Sequence, residues 1–246
     1  MPVELNCDLG EGERALLTAK LLRYASRANV ACGGHAGTAR SMRATCLAAK
    51  RQHVPVGAHP STPDRTNFGR AETAVTPALL ATWLQEQIGA LGQIARESGI
   101  KLHHVKLHGF LYNHVEQSSQ LAKAYVQLVK SHWPELTIIG LSGGAVSRQA
   151  KLQQVPILRE LFADRGYCAD GSLVHRGEPK SVLNPAQAAA QIKLWLKTGS
   201  IKTVDGTLLK LPAETICIHS DSPHTLETAR RISALLKKWK PPTVRA

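Results

Sequence analysis

The sequence predicts an α/β fold: a parallel sheet whose strands are joined by crossover helices. Two observations carry this. Short apolar runs alternate with longer amphipathic segments along the 246 residues, and most of the short runs are followed by glycines mixed with histidines and charged side chains. The alternation marks buried parallel strands with helices between them. The polar residues after each run mark the carboxyl edge of the sheet, where ligands bind in closed barrels and open sheets alike.

The strand runs are residues 3–5, 29–31, 54–57, 102–107, 137–141, 157–162 and 215–219. Between them, Thr76-Pro77 supplies an N-cap and a proline at the first helical position of a helix that Gly99 stops near residue 98. Asn184-Pro185 repeats the signal before residues 186–197. The last helix follows Ser222-Pro223 and carries Leu226, Ala229, Ile232, Leu235 and Leu236 on one face. Asp205-Gly206, within residues 201–211, reads as a hairpin turn. Two long loops, residues 60–75 and 163–184, are the length that usually serves function. No linker or repeat interrupts the pattern, so one domain over 1–246 is expected. A closed barrel and an open doubly wound sheet both satisfy the alternation.

Composition removes several classes of function. Apolar residues make up 43 % and charged residues 20 %, ordinary globular values. No apolar run reaches the roughly 18 residues of a membrane helix. Met1 leads straight into Val3-Glu4-Leu5-Asn6 with no basic or apolar leader, so a cytoplasmic address is expected. The five cysteines show no CxxC spacing and read as free thiols of a reducing compartment. The net charge of +13 comes from scattered Lys and Arg, densest in the tail at Arg230-Arg231 and Lys237-Lys238-Trp239-Lys240. With aromatics at only 4 %, stacking platforms are scarce. Small anionic substrates or an acidic partner protein are therefore expected, not nucleic acid. There is no GxGxxG, no phosphate-binding GxxxxGK[ST] loop and no GxSxG elbow.

The chemistry lies after the strands. The first run leads to Asp8 and Glu11, the second to His35, the third to His59, the fourth to Lys106 and His108, the sixth to Asp164 and Arg165, and the last to His219 and Asp221. Period-two spacing puts Lys106 with His108, and His219 with Asp221, on one side of their strands. His103 and His104 read as facing solvent or helices. Leu141-Ser142-Gly143-Gly144 ahead of a helix offers N–H groups to an anion. Carboxylates, imidazoles and cations together suit hydrolysis of an amide-like bond by general acid and base. Lys106 or Arg165 would stabilise the developing oxyanion. A divalent metal on Asp8 and histidines would serve the same purpose.

These motifs resemble the LamB/YcsF family, equated with the first of the three components of the bacterial ATP-dependent 5-oxoprolinase. The matching stretches are LNCDLGEG (5–12), ANVACGGHAG (28–37), VGAHPSTPDRTNFGR (56–70), HVKLHGFLYN (104–113), FADRGYCADGSLVHR (162–176) and ICIHSDSP (216–223). The resemblance implies an irregular seven-stranded parallel (β/α) barrel, similar to the glycoside hydrolase and polysaccharide deacetylase superfamily. It implies ATP-dependent opening of 5-oxo-L-proline to L-glutamate, with ATP as co-substrate and 5-oxoprolinase subunits B and C as partners. It leaves a homo-oligomer open. On its motif positions, Asp8, His59, Lys106, His219 and Asp221 are assigned to catalysis. Glu11, His35, His108, Asp164, Arg165 and Arg176 are assigned to substrate binding, and Asp8, His59 and His219 to a metal if one is held. Gly34 and Thr62 stand where the family commonly carries aromatics, which would widen the pocket, and Ser220 stands where it carries glycine. The alternative is a metal-dependent carbohydrate deacetylase-like amide hydrolase. Such enzymes pair two aspartates on the first strand and carry an HxxxH, and this chain has Asp8 with Glu11 and no such histidine pair after the second or third strand.

Overall fold

Polar residues, not only apolar ones, hold the strands of this protein together. The computed structural model describes residues 3–222 and 224–239. Pro223 and Lys240, used above for the last helix and the basic tail, lie outside the described residues. The element order is β1 (Glu4–Leu9), α1 (Ala15–Leu21), β2 (Arg27–Ala31), α2 (Ala39–Arg51), β3 (Val56–His59), α3 (Pro77–Glu97), β4 (Leu102–Lys106), α4 (Gly109–Gln117), α5 (Ser119–His132), β5 (Thr137–Leu141), α6 (Ala145–Gln153), β6 (Ile157–Phe162), α7 (Pro185–Thr198), β7 (Ser200–Lys202), β8 (Leu208–Lys210), β9 (Thr215–Ile218) and α8 (Thr225–Lys238).

The barrel closes in the order β1-β2-β3-β4-β5-β6-β9, and β7-β8 form a separate two-stranded sheet. Every pairing in the barrel is parallel. Closure rests on β9, which pairs with β1 from Glu4↔Thr215 to Cys7↔Ile218 and with β6 from Glu160↔Thr215 to Phe162↔Cys217. This decides for the barrel over the open sheet. The caps fall where the chain signals them. Thr76 accepts from the Leu79 N–H, and Asn184 from those of Ala186 and Gln187. The Asp205-Gly206 turn joins β7 to β8.

The first strands run longer than their apolar runs suggest. β1 continues through Asn6 and Asp8 to Leu9, and β3 through His59. The reason is the barrel interior, which takes polar side chains where most (β/α) barrels stack branched apolar ones. Asn6, Asn29, His104, Glu160 and Thr215 are all fully buried. Asn29 Nδ2 donates to Asn6 Oδ1 at 2.8 Å and to Asp8 Oδ1 at 2.7 Å. Asn6 Nδ2 donates to Thr215 Oγ1 at 2.9 Å. His104 corrects the expectation that it faces outward. It shares an inward face with Lys106, and its Nε2 lies 2.9 Å from Asn29 Oδ1. The space it needs is supplied by Gly57, where an added Cβ would meet the imidazole at 2.2 Å. The apolar core lies outside the strands, where residues such as Leu84, Ile88, Val126 and Ile192 press the helices onto the barrel.

The anion site read into Leu141–Gly144 is filled from within. Glu116 of α4 reaches across so that Oε1 accepts from the Leu141 N–H at 2.7 Å and Oε2 from the Val146 N–H at 3.0 Å. Gly144 is required there, because a Cβ would sit 2.0 Å from Glu116 Oε2. Burial pushes the Glu116 carboxyl up to about 7, against the two backbone donors that lower it. Its folded pKa therefore lies above its unfolded value, and its stabilising contribution is complete at low pH and lost as pH rises. The stability of the protein relative to its Glu116→Gln variant is expected to fall between about pH 4.5 and pH 7 and to level off above. Denaturant unfolding at several pH values checks this, and an unchanged difference across that range would contradict it.

Candidate active site

Lys106 is the deepest charge of the rim. It projects inward from β4, 1 % exposed, and its Nζ lies 3.0 Å from Asp8 Oδ1, 3.2 Å from Glu160 Oε2 and 2.9 Å from Cys217 Sγ. Burial opposes its charge, but Asp8, Cys217 and Glu160 outweigh that and hold its pKa well above the usual lysine range. Asp8 is the counterpart. Burial would raise its carboxyl, yet neighbouring His59 and Lys106 hold it well below the usual range. At neutral pH Asp8 is an anion and Lys106 a cation, and neither is poised to move a proton.

Above this pair sit three imidazoles around one carboxylate. Glu11 Oε1 lies 3.0 Å from His35 Nε2, 3.8 Å from His59 Nε2 and 3.5 Å from His108 Nδ1. His59 Nε2 is also 3.3 Å from Asp8 Oδ2. Burial and the nearby Asp8 charge push Glu11 up to about 7. Burial drives His35 down to about 3, and burial with neighbouring His35 and His59 drives His108 well below the usual histidine range. His35 and His108 stack at 3.6 Å between ring centroids. The loop 60–75 closes over them: Arg65 Nη1 donates to the Gly33 and Gly37 carbonyls, and Phe68 packs edge-on against both rings. Gly109 (φ 58°) makes this approach feasible, since a Cβ would lie 2.4 Å from the Gly69 carbonyl oxygen.

Beside the Asp8–Lys106 pair, Asp164 and His219 form a dyad. His219 Nδ1 lies 3.0 and 3.1 Å from the two Asp164 oxygens. Burial would raise Asp164, but neighbouring His219, the hydrogen bonds from it and Arg176 keep the carboxyl below its ordinary value. An ionised Asp164 accepts a hydrogen bond from Nδ1–H, which leaves Nε2 free to act in the cavity that His219 lines. Asp164 thus pairs with His219 and not with its neighbour Arg165.

The cavity has a volume of about 260 Å³ and is lined by Asp8, His59, Lys106, His108, Arg165, Arg176 and His219, among others. Arg70, which the sequence reading passed over, lines it too. Arg165 commits two donors to its own loop, Nε to the Ser181 carbonyl and Nη2 to that of Val174. Asp221 stands at the outer rim in an ion pair with Arg70, 3.6 Å from Arg176 Nη1. Glu11, His35, Asp164 and Asp221 support the lining from behind. The space that Gly34 was expected to leave is filled: a Cβ there would meet Ser61 Oγ at 2.4 Å and Gln87 Oε1 at 2.5 Å. Sequence reading also missed Asn6, Asn29, Glu160 and Cys217, which sit inside strand runs and look like any buried strand residue.

Among the described residues, two groups have donor atoms close enough to share a cation. One is Glu11, His35, His59 and His108; the other is Asp8, Cys217 and His219. The proposed trio Asp8, His59 and His219 is divided between them. The second group already holds the Lys106 ammonium, and burial with the Asp8 charge keeps the Cys217 thiol well above its ordinary pKa and protonated. It does not fit a metal ion; the first group does.

Removing Lys106 leaves two buried carboxylates facing each other without a cation. Lys106→Ala is expected to cost about 3–5 kcal/mol, a fall in Tm on the order of 10 °C for a chain of this length. Differential scanning calorimetry checks this, and a Tm within a degree or two of the parent would refute it.

Among solved structures, a lactam utilization protein from Thermus thermophilus is 34 % identical, covering 96 % of this chain and 96 % of its own, with a TM-score of 0.86. A family 4 carbohydrate esterase from Streptomyces lividans, solved with acetate, is 12 % identical over 96 % of this chain and 88 % of its own, with a TM-score of 0.48. At that distance it carries no argument about chemistry. The LamB/YcsF family model matches residues 3–243, and the chain belongs to the LamB/YcsF family.

Proposed function

We propose that this protein opens the ring of a cyclic amide, 5-oxo-L-proline, to give L-glutamate. The observation that carries the reading is the His219–Asp164 dyad beside the buried Lys106–Asp8 pair, with His219 and Lys106 both lining a cavity of about 260 Å³, room for a small substrate. Family membership and the lactam utilization protein from Thermus thermophilus support the substrate class.

In this reading His219 Nε2 takes the proton of the attacking water and returns it to the ring nitrogen as the C–N bond breaks. Lys106, fixed as a cation, stabilises negative charge on the lactam oxygen. Asp8 keeps Lys106 and His59 in place. Arg70, Arg165 and Arg176 give the cavity the positive charge that a substrate carboxylate requires, and a guanidinium offers it two parallel donors. ATP activates the lactam oxygen by phosphorylation and is handled with subunits B and C, in keeping with a chain that carries no phosphate-binding loop. Water then adds at the ring carbon, the C–N bond breaks to leave an acyl phosphate with the freed amine, and a second water hydrolyses that acyl phosphate to the product carboxylate and phosphate.

The test is glutamate release from 5-oxoproline and ATP, measured with this protein alone and together with the two partner subunits. Turnover is expected only with all three, and His219→Ala is expected to lower kcat by about 100-fold or more, the scale of general acid–base catalysis. No glutamate from the full complex would overturn the reading. Acetate release from N-acetyl sugars would instead favour a deacetylase-type hydrolase.

A further inference from the structure

We infer that Glu11, His59 and His108 form a site for one divalent cation of the zinc type at the floor of the cavity. The site is defined by hydrogen-bond geometry and holds whichever amide the cavity accepts.

The partners of the two rings fix where their protons are. His59 Nδ1 lies 2.9 Å from the Lys106 carbonyl oxygen, and His108 Nε2 lies 3.0 Å from the Phe68 carbonyl oxygen. A carbonyl only accepts, so each of these nitrogens carries its proton. In the neutral rings the other nitrogens, His59 Nε2 and His108 Nδ1, are then bare lone pairs. They face each other at 3.0 Å. The further polar atoms given above for this spot are carboxyl oxygens, Glu11 Oε1 at 3.5 and 3.8 Å and Asp8 Oδ2 at 3.3 Å, and each accepts when its carboxyl is ionised. Acceptors gathered this closely in a buried site repel unless a cation lies among them.

The surroundings are those of a metal ligand set. A ligating histidine ordinarily donates its second N–H to a backbone carbonyl or carboxylate, and a ligating carboxylate is itself hydrogen-bonded. Both histidines satisfy the first condition. Glu11 satisfies the second, since Ser220 Oγ donates to Oε2 at 3.0 Å. His35 acts as a positioning residue: its ring is stacked on that of His108 with only 8° between the planes, so one ion cannot lie in both ring planes. Zinc bonds of about 2.0–2.2 Å require ligand atoms roughly 3.3–3.6 Å apart in a tetrahedron. The three separations here, 3.0, 3.5 and 3.8 Å, bracket that span. Two histidines and one glutamate, with His59 and His108 lining the cavity, match the donor set that leaves a fourth position open to water or substrate. A cation there would supply a Lewis acid beside the substrate amide.

The competing arrangement is a proton on His59 Nε2, donated to His108 with Asp8 as counter-charge. It needs no metal, and the experiment separates the two. The protein is stripped with a chelator, dialysed and titrated with Zn²⁺ and with Co²⁺. One equivalent of each is expected to bind, with a visible Co²⁺ absorption of a low-coordinate site and a rise in Tm with free metal. Ser220→Ala is expected to weaken Zn²⁺ binding by about 10- to 100-fold, and Glu11→Gln and His108→Ala by more. His103→Ala, on the exposed side of β4, serves as the control that binds normally. Circular dichroism verifies that each variant is folded; should His108→Ala unfold, the parent titration and Ser220→Ala decide alone. No uptake by the parent protein, or uptake unchanged in both Ser220→Ala and Glu11→Gln, would overturn the site. Because metal binding is read without turnover, a failed glutamate assay leaves this result standing.

Discussion

Everything at the rim is arranged around a lysine ammonium held inside the barrel. Lys106 touches Asp8 from β1, Glu160 from β6 and Cys217 from β9. Taking three charges out of water costs several kcal/mol each, and their attraction repays this only when hydrogen bonds complete the set. Asn6 and Asn29 supply hydrogen bonds to Asp8 and to Glu160 Oε2, while Glu160 Oε1 is left without a partner among the described residues. Their amides bridge Asp8, Glu160, Thr215 and His104 into one buried network. The barrel interior is polar because the centre is ionic, and replacing one member strands its partners.

That network fixes the chemistry above it. A permanently charged Asp8 faces His59 at 3.3 Å and raises the neighbouring Glu11. The resulting division of labour is spatial. The buried ion pair sets the field, the imidazoles around Glu11 offer lone pairs, and the His219–Asp164 dyad offers a proton carrier. Arg70 and Arg176 remain half-exposed at the rim with Asp221 between them, where attraction for an anionic substrate is strongest before it enters.

Glu116 shows how a local signal can be read correctly and still mean something else. Leu141-Ser142-Gly143-Gly144 does expose N–H groups at the start of α6, and an anion does sit on them. The anion is a side chain of the same protein, 25 residues earlier in sequence. Its effect is to tie α4 to the end of β5 and the start of α6.

Much of this was legible in the chain itself. The caps at Thr76 and Asn184, the Asp205-Gly206 turn and the order of strands and helices follow from short-range propensities. So does the placing of Asp8, His35, His59, Lys106, His108 and His219 at strand ends, since parallel strands deliver their following residues to one edge. What the sequence could not decide is who meets whom. Asp8 and Lys106 are 98 residues apart, and Asp164 and His219 are 55 apart. Their contacts exist only because β9 closes the sheet against β1 in one register. The same closure turned His104 inward and made Asn6, Asn29 and Glu160 part of the site. Pattern along a strand names which residues share a face; only the closed barrel determines what that face looks at.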